Sequence, residues 1–185
     1  MNQSVSTTPE DVLEFWFSTL EPKQWWVKDS KLDDTIRDKF ENTLYAASRG
    51  ELFAWRNTAE GRLAEIIVLD QFSRNLHRGS AQAFANDAMA LALCQEAITL
   101  GLDKTLAPIK RGFLYMPLMH SESLIIHEWA LEKFSQDGLE ANLKAEHAHL
   151  NILKQFNRYP HRNEALGRQS TEEEIAFLKT EGSSF

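Results

Sequence analysis

The stretch TAEGRLAEIIVLDQFSRNL, residues 58–76, decides the fold. Leu63, Ile67, Asp70, Arg74 and then Arg78 (or His77) recur at spacings of three or four, so a 3.6-residue period places them on one stripe. Halfway along, that stripe changes from apolar to charged. Leu69, Phe72 and Leu76 make a second apolar stripe on nearly the opposite side. A helix apolar on two sides is enclosed by its neighbours, which calls for a bundle around it. Asp70 and Arg74, at i and i+4, are then expected to pair in a partly buried setting, with Gln71, Asn75 and Arg78 alongside. Burying this much polarity is costly unless each group is satisfied. Two readings stay open: an ion pair that locks helices together, and a ligand site.

Outward from this helix the pattern stays helical. Thr7, Thr8 and Pro9 open a short first helix that runs through Phe17, with Pro9 suited to the first turn. Leu32, Ile36, Phe40 and Leu44 recur every four residues until Gly50. Ser80 is expected to cap a fourth helix with Phe84, Ala88, Leu91 and Ala92 on its apolar face and Gly101 as its stop. Pro108 starts a fifth, which Pro117 is expected to kink or break before a sixth over 121–134. Gly138 separates a seventh, ending near Phe156, and Ser170 with Glu173 has capping-box spacing ahead of Ile175, Phe177 and Leu178. Nothing reads as a strand pair. The expected fold is all-α, one domain over 1–185, with seven or eight helices packed as antiparallel pairs and flexible ends over 1–8 and 180–185. No clean 34-residue self-similarity is visible.

Composition bounds the function. In 185 residues, 20 basic side chains face 27 acidic ones, a formal charge of −7. No basic run or positive field is present, which argues against nucleic acid and anionic membranes. Apolar residues at 43% and charged residues at 25% describe an ordinary globular chain that buries about 70% of its unfolded surface. Cys94 is the one cysteine, so neither an internal disulfide nor a cysteine metal cluster can form. Residues 1–9 carry no basic side chain and no apolar run, unlike a signal peptide. The uncharged stretch 112–121 is half the roughly 20 residues that a spanning helix needs. A cytoplasmic location is expected.

Two further places set polar residues where apolar ones belong. On the sixth helix His120, Leu124, His127, Leu131 and Phe134 share a face, with Ser121 and Glu122 at its start. Those histidines read either as satisfied core residues or as functional ones, and Ser121 or Ser123 reads also as an N-cap. The segment 156–170 holds Arg158, Tyr159, Pro160, His161, Arg162, Asn163 and Arg168, the most basic run of an acidic chain. Pro160 disfavours helix before it, so a loop leads into the last helix N-terminus, where free backbone donors favour an anion. Equally, its arginines serve to fasten the C-terminal helix to Asp70, Glu122 or helix carboxyl ends.

The Gly-rich phosphate loop, the nucleophile elbow and the paired-histidine zinc helix are absent from the sequence. His147 and His149 point about 200° apart on a helix and cannot chelate one ion. A cluster of His120, Glu122, His149 and His161 has no spacing argument behind it, so no metal ligand set is assigned and the cofactor stays open. Phe15-Trp16-Phe17 and Trp25-Trp26 read as core anchors.

These motifs carry a resemblance. Phe15-Trp16-Phe17, Trp25-Trp26, the run 69–75 with Arg78, the run 115–122, and the run 156–163 with Leu166-Gly167-Arg168 and Ser170-Thr171 resemble the bacterial family known as domain of unknown function 924, over 12–178. The resemblance implies a helical fold similar to tetratricopeptide-like superhelices. It maps family motifs onto Asp70, Gln71, Arg74, Asn75, His120, Ser121, Glu122, Arg158, His161, Arg162, Asn163 and Arg168, and brings no reaction. Two positions depart from it: Asn157 where glycine is expected and Tyr159 where phenylalanine is expected.

The leading reading is a pocket for a small anion or a peptide carboxylate. Arg74, Arg158, Arg162 and Arg168 would supply its charge, Gln71, Asn75 and Ser121 would orient the ligand, and Arg78 and Asn163 stand beside them. The alternative is a hydrolase or transferase with His120 or His161 as general base and Asp70 or Glu122 orienting it. A third reading is a helical scaffold for a protein partner. The sequence leaves the oligomeric state open.

Overall fold

The computed structural model describes residues 6–184. Helices follow one another through α1 (Pro9–Glu14), α2 (Ser30–Ser48), α3 (Ala59–Ile67), α4 (Ser73–Leu76), α5 (Asp87–Thr99), α6 (Pro108–Met119), α7 (Leu124–Phe134), α8 (Glu140–Phe156) and α9 (Glu172–Phe177). Among the described residues there is no strand. Helices α3 and α4 form one rod, joined by a π-helical turn at Val68–Phe72, so the chain lays down eight rods. Most of the flexible ends expected from the sequence, 1–5 and 185, lie outside the described residues.

Local chemistry sets the boundaries. Thr8 caps α1 in a reciprocal box with Asp11, its hydroxyl accepting from the Asp11 N–H at 3.2 Å while the Asp11 carboxylate accepts from the Thr8 N–H at 2.8 Å. Thr58 caps α3 through the Gly61 N–H at 3.0 Å. Four sequence expectations are corrected. Ser80 makes no side-chain cap; a 3-10 turn at Ala81–Phe84 intervenes, and α5 starts at Asp87. Pro117 lies inside α6, which runs on to Met119, because Phe113 and the residues after it up to Met119 are buried against neighbours that hold the last turn. Helix α7 begins at Leu124 instead of 121. The last capping box is Thr171 with Glu174, one residue later than expected: the Thr171 hydroxyl accepts from the Glu174 N–H at 3.2 Å.

The α3–α4 rod runs through the centre, packed against α1, α2, α5 and α6, and α6 to α8 continue as neighbours. Leu63, Ile66, Ile67, Val68, Leu69 and Phe72 are all buried, as a helix apolar on two sides requires. Phe72 stacks on Phe40 at 4.9 Å and meets Trp16 edge-on at 5.6 Å, and such pairs add about 0.5–1.5 kcal/mol each beyond area burial. Trp26 departs from the anchor role: it is 60% exposed, lying flat on Phe113. A second, smaller core of Ile152, Leu153 and Tyr159, with Phe156 and Phe177 against it, seats the C-terminal segment. Asn157, standing where glycine was expected, ends α8 at φ +55°, and asparagine is the residue that tolerates this left-handed conformation best after glycine.

Gly61 is required by close approach. A Cβ there would meet the Trp55 carbonyl oxygen at 1.9 Å, and that oxygen belongs to the 3-10 turn Phe53–Asn57 that abuts α3. Gly61→Ala is expected to cost about 1–3 kcal/mol or more, read as a lower midpoint in urea unfolding with an unchanged slope.

Candidate functional site

Three chain segments build the site: the central rod, the end of α6, and the 3-10 turn Pro160–Arg162. The rod contributes Asp70 from its π turn, a feature that recurs at functional sites. Asp70 is 1% exposed and fully engaged. Its Oδ1 accepts from His120 Nδ1 at 2.7 Å and lies 3.1 Å from Arg74 Nη1, while Oδ2 accepts from Gln71 Nε2 at 2.6 Å. Burial alone would push this carboxyl up. The Arg74 guanidinium, and then His120, overcome that and hold it well below the usual carboxylate range. The pairing of Asp70 with Arg74 expected from the sequence is thus present, and it has a third member, His120.

His120 caps α6 at its C-terminal end. An ionised Asp70 only accepts, so Nδ1 carries the proton and Nε2 of the neutral ring holds a lone pair. Among the described residues Nε2 meets no donor or acceptor. Burial and the Arg74 guanidinium keep this imidazole's pKa below its ordinary value against the opposing pull of Asp70.

Arg74 forks onto Asp87 at the start of α5, Nη1 to Oδ1 at 2.9 Å and Nη2 to Oδ2 at 3.0 Å. Arg162 then reaches the same Oδ2 from the C-terminal turn at 3.3 Å. Its side chain is only 7% exposed, and its guanidinium carbon lies 4.7 Å from the ring centres of both Phe84 and Tyr159. Among the described residues that long contact is its one hydrogen bond, and Nε is buried without an acceptor. Burial and the neighbouring Arg74 cation both lower the Arg162 pKa. His161 is within electrostatic reach of Arg162, His120, Glu122 and Arg74; burial first, then Arg162, pushes its pKa down to about 4.

The remaining predicted residues divide by what holds them. Asn75 and Arg78 turn away to Asp33 of α2, at 2.8 Å and at 2.7 and 2.8 Å, and tie the rod to that helix. Arg158 forks onto Glu174 and Arg168 forks onto Glu122, whose Oε1 also accepts the Tyr159 N–H at 2.7 Å. Asn163 bridges Arg168, Ser170 and Glu174. These are fasteners of the C-terminal segment, the second of the two roles the sequence left open for its arginines. The N-terminus of α9 is likewise taken by the Glu174 carboxylate, which accepts the Thr171 N–H. Ser121 contributes its carbonyl, which accepts from His127 Nε2 at 2.8 Å; His127 Nδ1 bonds the buried Glu146. The Tyr159 hydroxyl donates to the Met119 carbonyl at 2.6 Å, so the 119–122 link is held from two sides.

The sequence missed Asp87 and Phe84. Asp87 reads there as an ordinary first-turn acid and Phe84 as one residue of an apolar face, so neither carries a separate signal. A groove of about 570 Å³ between α2 and the residues before α5, lined by Glu41, Tyr45, Leu76, His77, Gln82 and Asn86, contains none of the predicted site residues. Among the described residues no group of three or more histidine, cysteine or acidic side chains is placed to hold a metal. His149, a candidate in the sequence, donates from Nδ1 to the Ala145 carbonyl at 2.8 Å. Nor is any described helix long and apolar enough to cross a membrane.

Fold and site together define an all-helical bacterial domain whose buried Asp–His–Arg cluster is closed by its C-terminal turn. The chain belongs to the family described as bacterial protein of unknown function, DUF924, which matches residues 12–182. It is similar to a solved structure of a protein of unknown function from Agrobacterium tumefaciens, at 35% identity and a TM-score of 0.88, over 92% of this chain and 96% of that one. No curated protein matches it.

The depressed histidines have a consequence for pH. His161, at about 4, and His149, pushed by burial down to about 3, bind protons more readily in the unfolded chain, where the ordinary value is 6.5. Their contribution is therefore complete above pH 6.5 and is lost as pH falls toward those values. Urea unfolding is expected to show a lower midpoint near pH 5 than near pH 7.5, and His149→Gln with His161→Gln to flatten that difference. A wild-type midpoint unchanged over this range would contradict it.

Proposed function

We propose that the chain binds a small anionic ligand at the group formed by Arg74, Arg162, His120 and His161. The observation that carries this reading is Arg162: a guanidinium almost out of solvent whose one carboxylate partner is already forked by Arg74. A buried cation with most of its donors unmet is costly, and an acceptor that reaches its open edge relieves that cost. Gln71 and Asp70 hold the arrangement from beneath. Arg158 and Arg168, each forked on a glutamate, leave the charge to Arg74 and Arg162.

The reading is tested by thermal unfolding of the purified protein with a series of anions at matched ionic strength. A ligand at a hundred times its Kd raises stability by about 2.7 kcal/mol, which is a shift of several degrees. Arg162→Lys, which keeps the charge and loses the planar fork, is expected to weaken the response, and Arg162→Ala to abolish it. No anion giving a shift above that of chloride would overturn the proposal.

The Asp70–His120 pair favours a second reading, proton transfer on the same ligand in a hydrolase or transferase. An oriented neutral imidazole with a free Nε2 is what a general base needs. Incubation with a panel of ester substrates is expected to give turnover that His120→Gln removes by at least about 100-fold while anion binding persists. Absence of turnover across the panel leaves binding as the function.

A further inference from the structure

The protein handles carboxylates in a regular way. Glu65 meets the fork of Arg56, Glu122 that of Arg168, Glu174 that of Arg158 and Asp33 that of Arg78, each with two contacts between 2.6 and 2.8 Å, or up to 2.9 Å at Glu122. One flat carboxylate and one flat guanidinium satisfy each other edge to edge. Arg162 breaks this pattern. Asp87 lends it a single oxygen at 3.3 Å, and among the described residues its Nε and Nη2 meet no acceptor. The rings of Phe84 and Tyr159 lie against its guanidinium, so it can donate only in its own plane.

The groups without a full set of partners arrive from different segments. Arg162 comes from the C-terminal turn, His120 with its free Nε2 from the end of α6, and Arg74 from the central rod. His161 brings a second imidazole into electrostatic reach of all three. A planar carboxylate offers its oxygens in one plane and is used up by one fork. A phosphate monoester offers three terminal oxygens in three directions and carries up to two negative charges, which matches donors converging from three segments and two guanidiniums close together.

We propose that the ligand of this site is a small molecule bearing a terminal phosphate, held by Arg162, Arg74 and His120, with the phosphate replacing the long Asp87–Arg162 contact and leaving the Arg74–Asp87 fork in place. This rests on the anion-binding reading and narrows it. Asp87 is then the internal competitor of the ligand, a carboxylate that partly neutralises the two arginines while the site is empty.

Isothermal titration calorimetry at matched ionic strength tests it, with inorganic phosphate and phenyl phosphate against acetate and benzoate. The phosphate probes are expected to bind at least tenfold more tightly than the carboxylates of the same size. Arg162→Ala is expected to lose at least tenfold in phosphate affinity. Asp87→Asn, by removing the competitor, is expected to gain severalfold, an effect opposite to that of damage to the fold; circular dichroism of both variants establishes that they are folded. Carboxylates binding as tightly as phosphates would overturn the phosphate assignment and leave the anion site standing. Binding by neither class would overturn both.

Discussion

One buried carboxylate organises this molecule. Asp70 receives His120, Arg74 and Gln71 in the middle of a rod that is otherwise apolar on two sides, and it is the point where the core stops being hydrocarbon. An isolated carboxylate there would be neutralised or expelled. Paired as it is, its ionised form is the favoured one, and the loss of either charged partner would leave a buried charge at a cost of about 3–5 kcal/mol. The rod, the end of α6 and the start of α5 are therefore bound to one electrostatic problem with one joint solution.

The C-terminal segment is attached on a different principle. Its apolar seat is small, three buried residues with two aromatic rings against them, and most of its hold comes from guanidinium–carboxylate forks and from the Tyr159 hydroxyl on the Met119 carbonyl. Forks fix direction better than apolar contact does, since their donors lie in a plane. That directionality presents Arg162 and His161 to the residues of the rod. Fastening and site formation are one event here: the arginines the sequence grouped together divide into those that secure the segment and the one that the segment delivers.

The fold was largely legible because the signals that define it are periodic. Two apolar stripes on 58–76, the four-residue recurrence from Leu32 to Leu44 and the isolated glycines mark rods and breaks without reference to tertiary contact. Pro117 misled because its cost is set by whether neighbours hold the turn around it, which no local rule contains. The cluster was half legible. Asp70 and Arg74 share a helix and show their relation in the spacing, and His120, His161 and Arg162 stood out as polar residues among apolar ones. Asp87 and Phe84 did not, since an acid in a first turn and an aromatic residue in an apolar stripe are what any helix would carry. Asn75 and Arg78 lay beside the right residues in sequence, yet the π turn and the approach of α2 gave them to Asp33 instead.

That π turn also sets a rule about chain length. Its wider loop accommodates one residue more than an α-helical turn between Ile67 and Ser73. Deleting a residue from Val68–Phe72 would give the backbone a smoother, better-bonded helix and would rotate all that follows by about 100°. Arg74 would swing away from Asp87, and Phe72 away from Phe40 and Trp16. The local gain in regularity would undo both the aromatic core and the charged cluster. Side chains along this segment can be exchanged one at a time at a cost set by each contact; the number of residues in it is fixed by geometry.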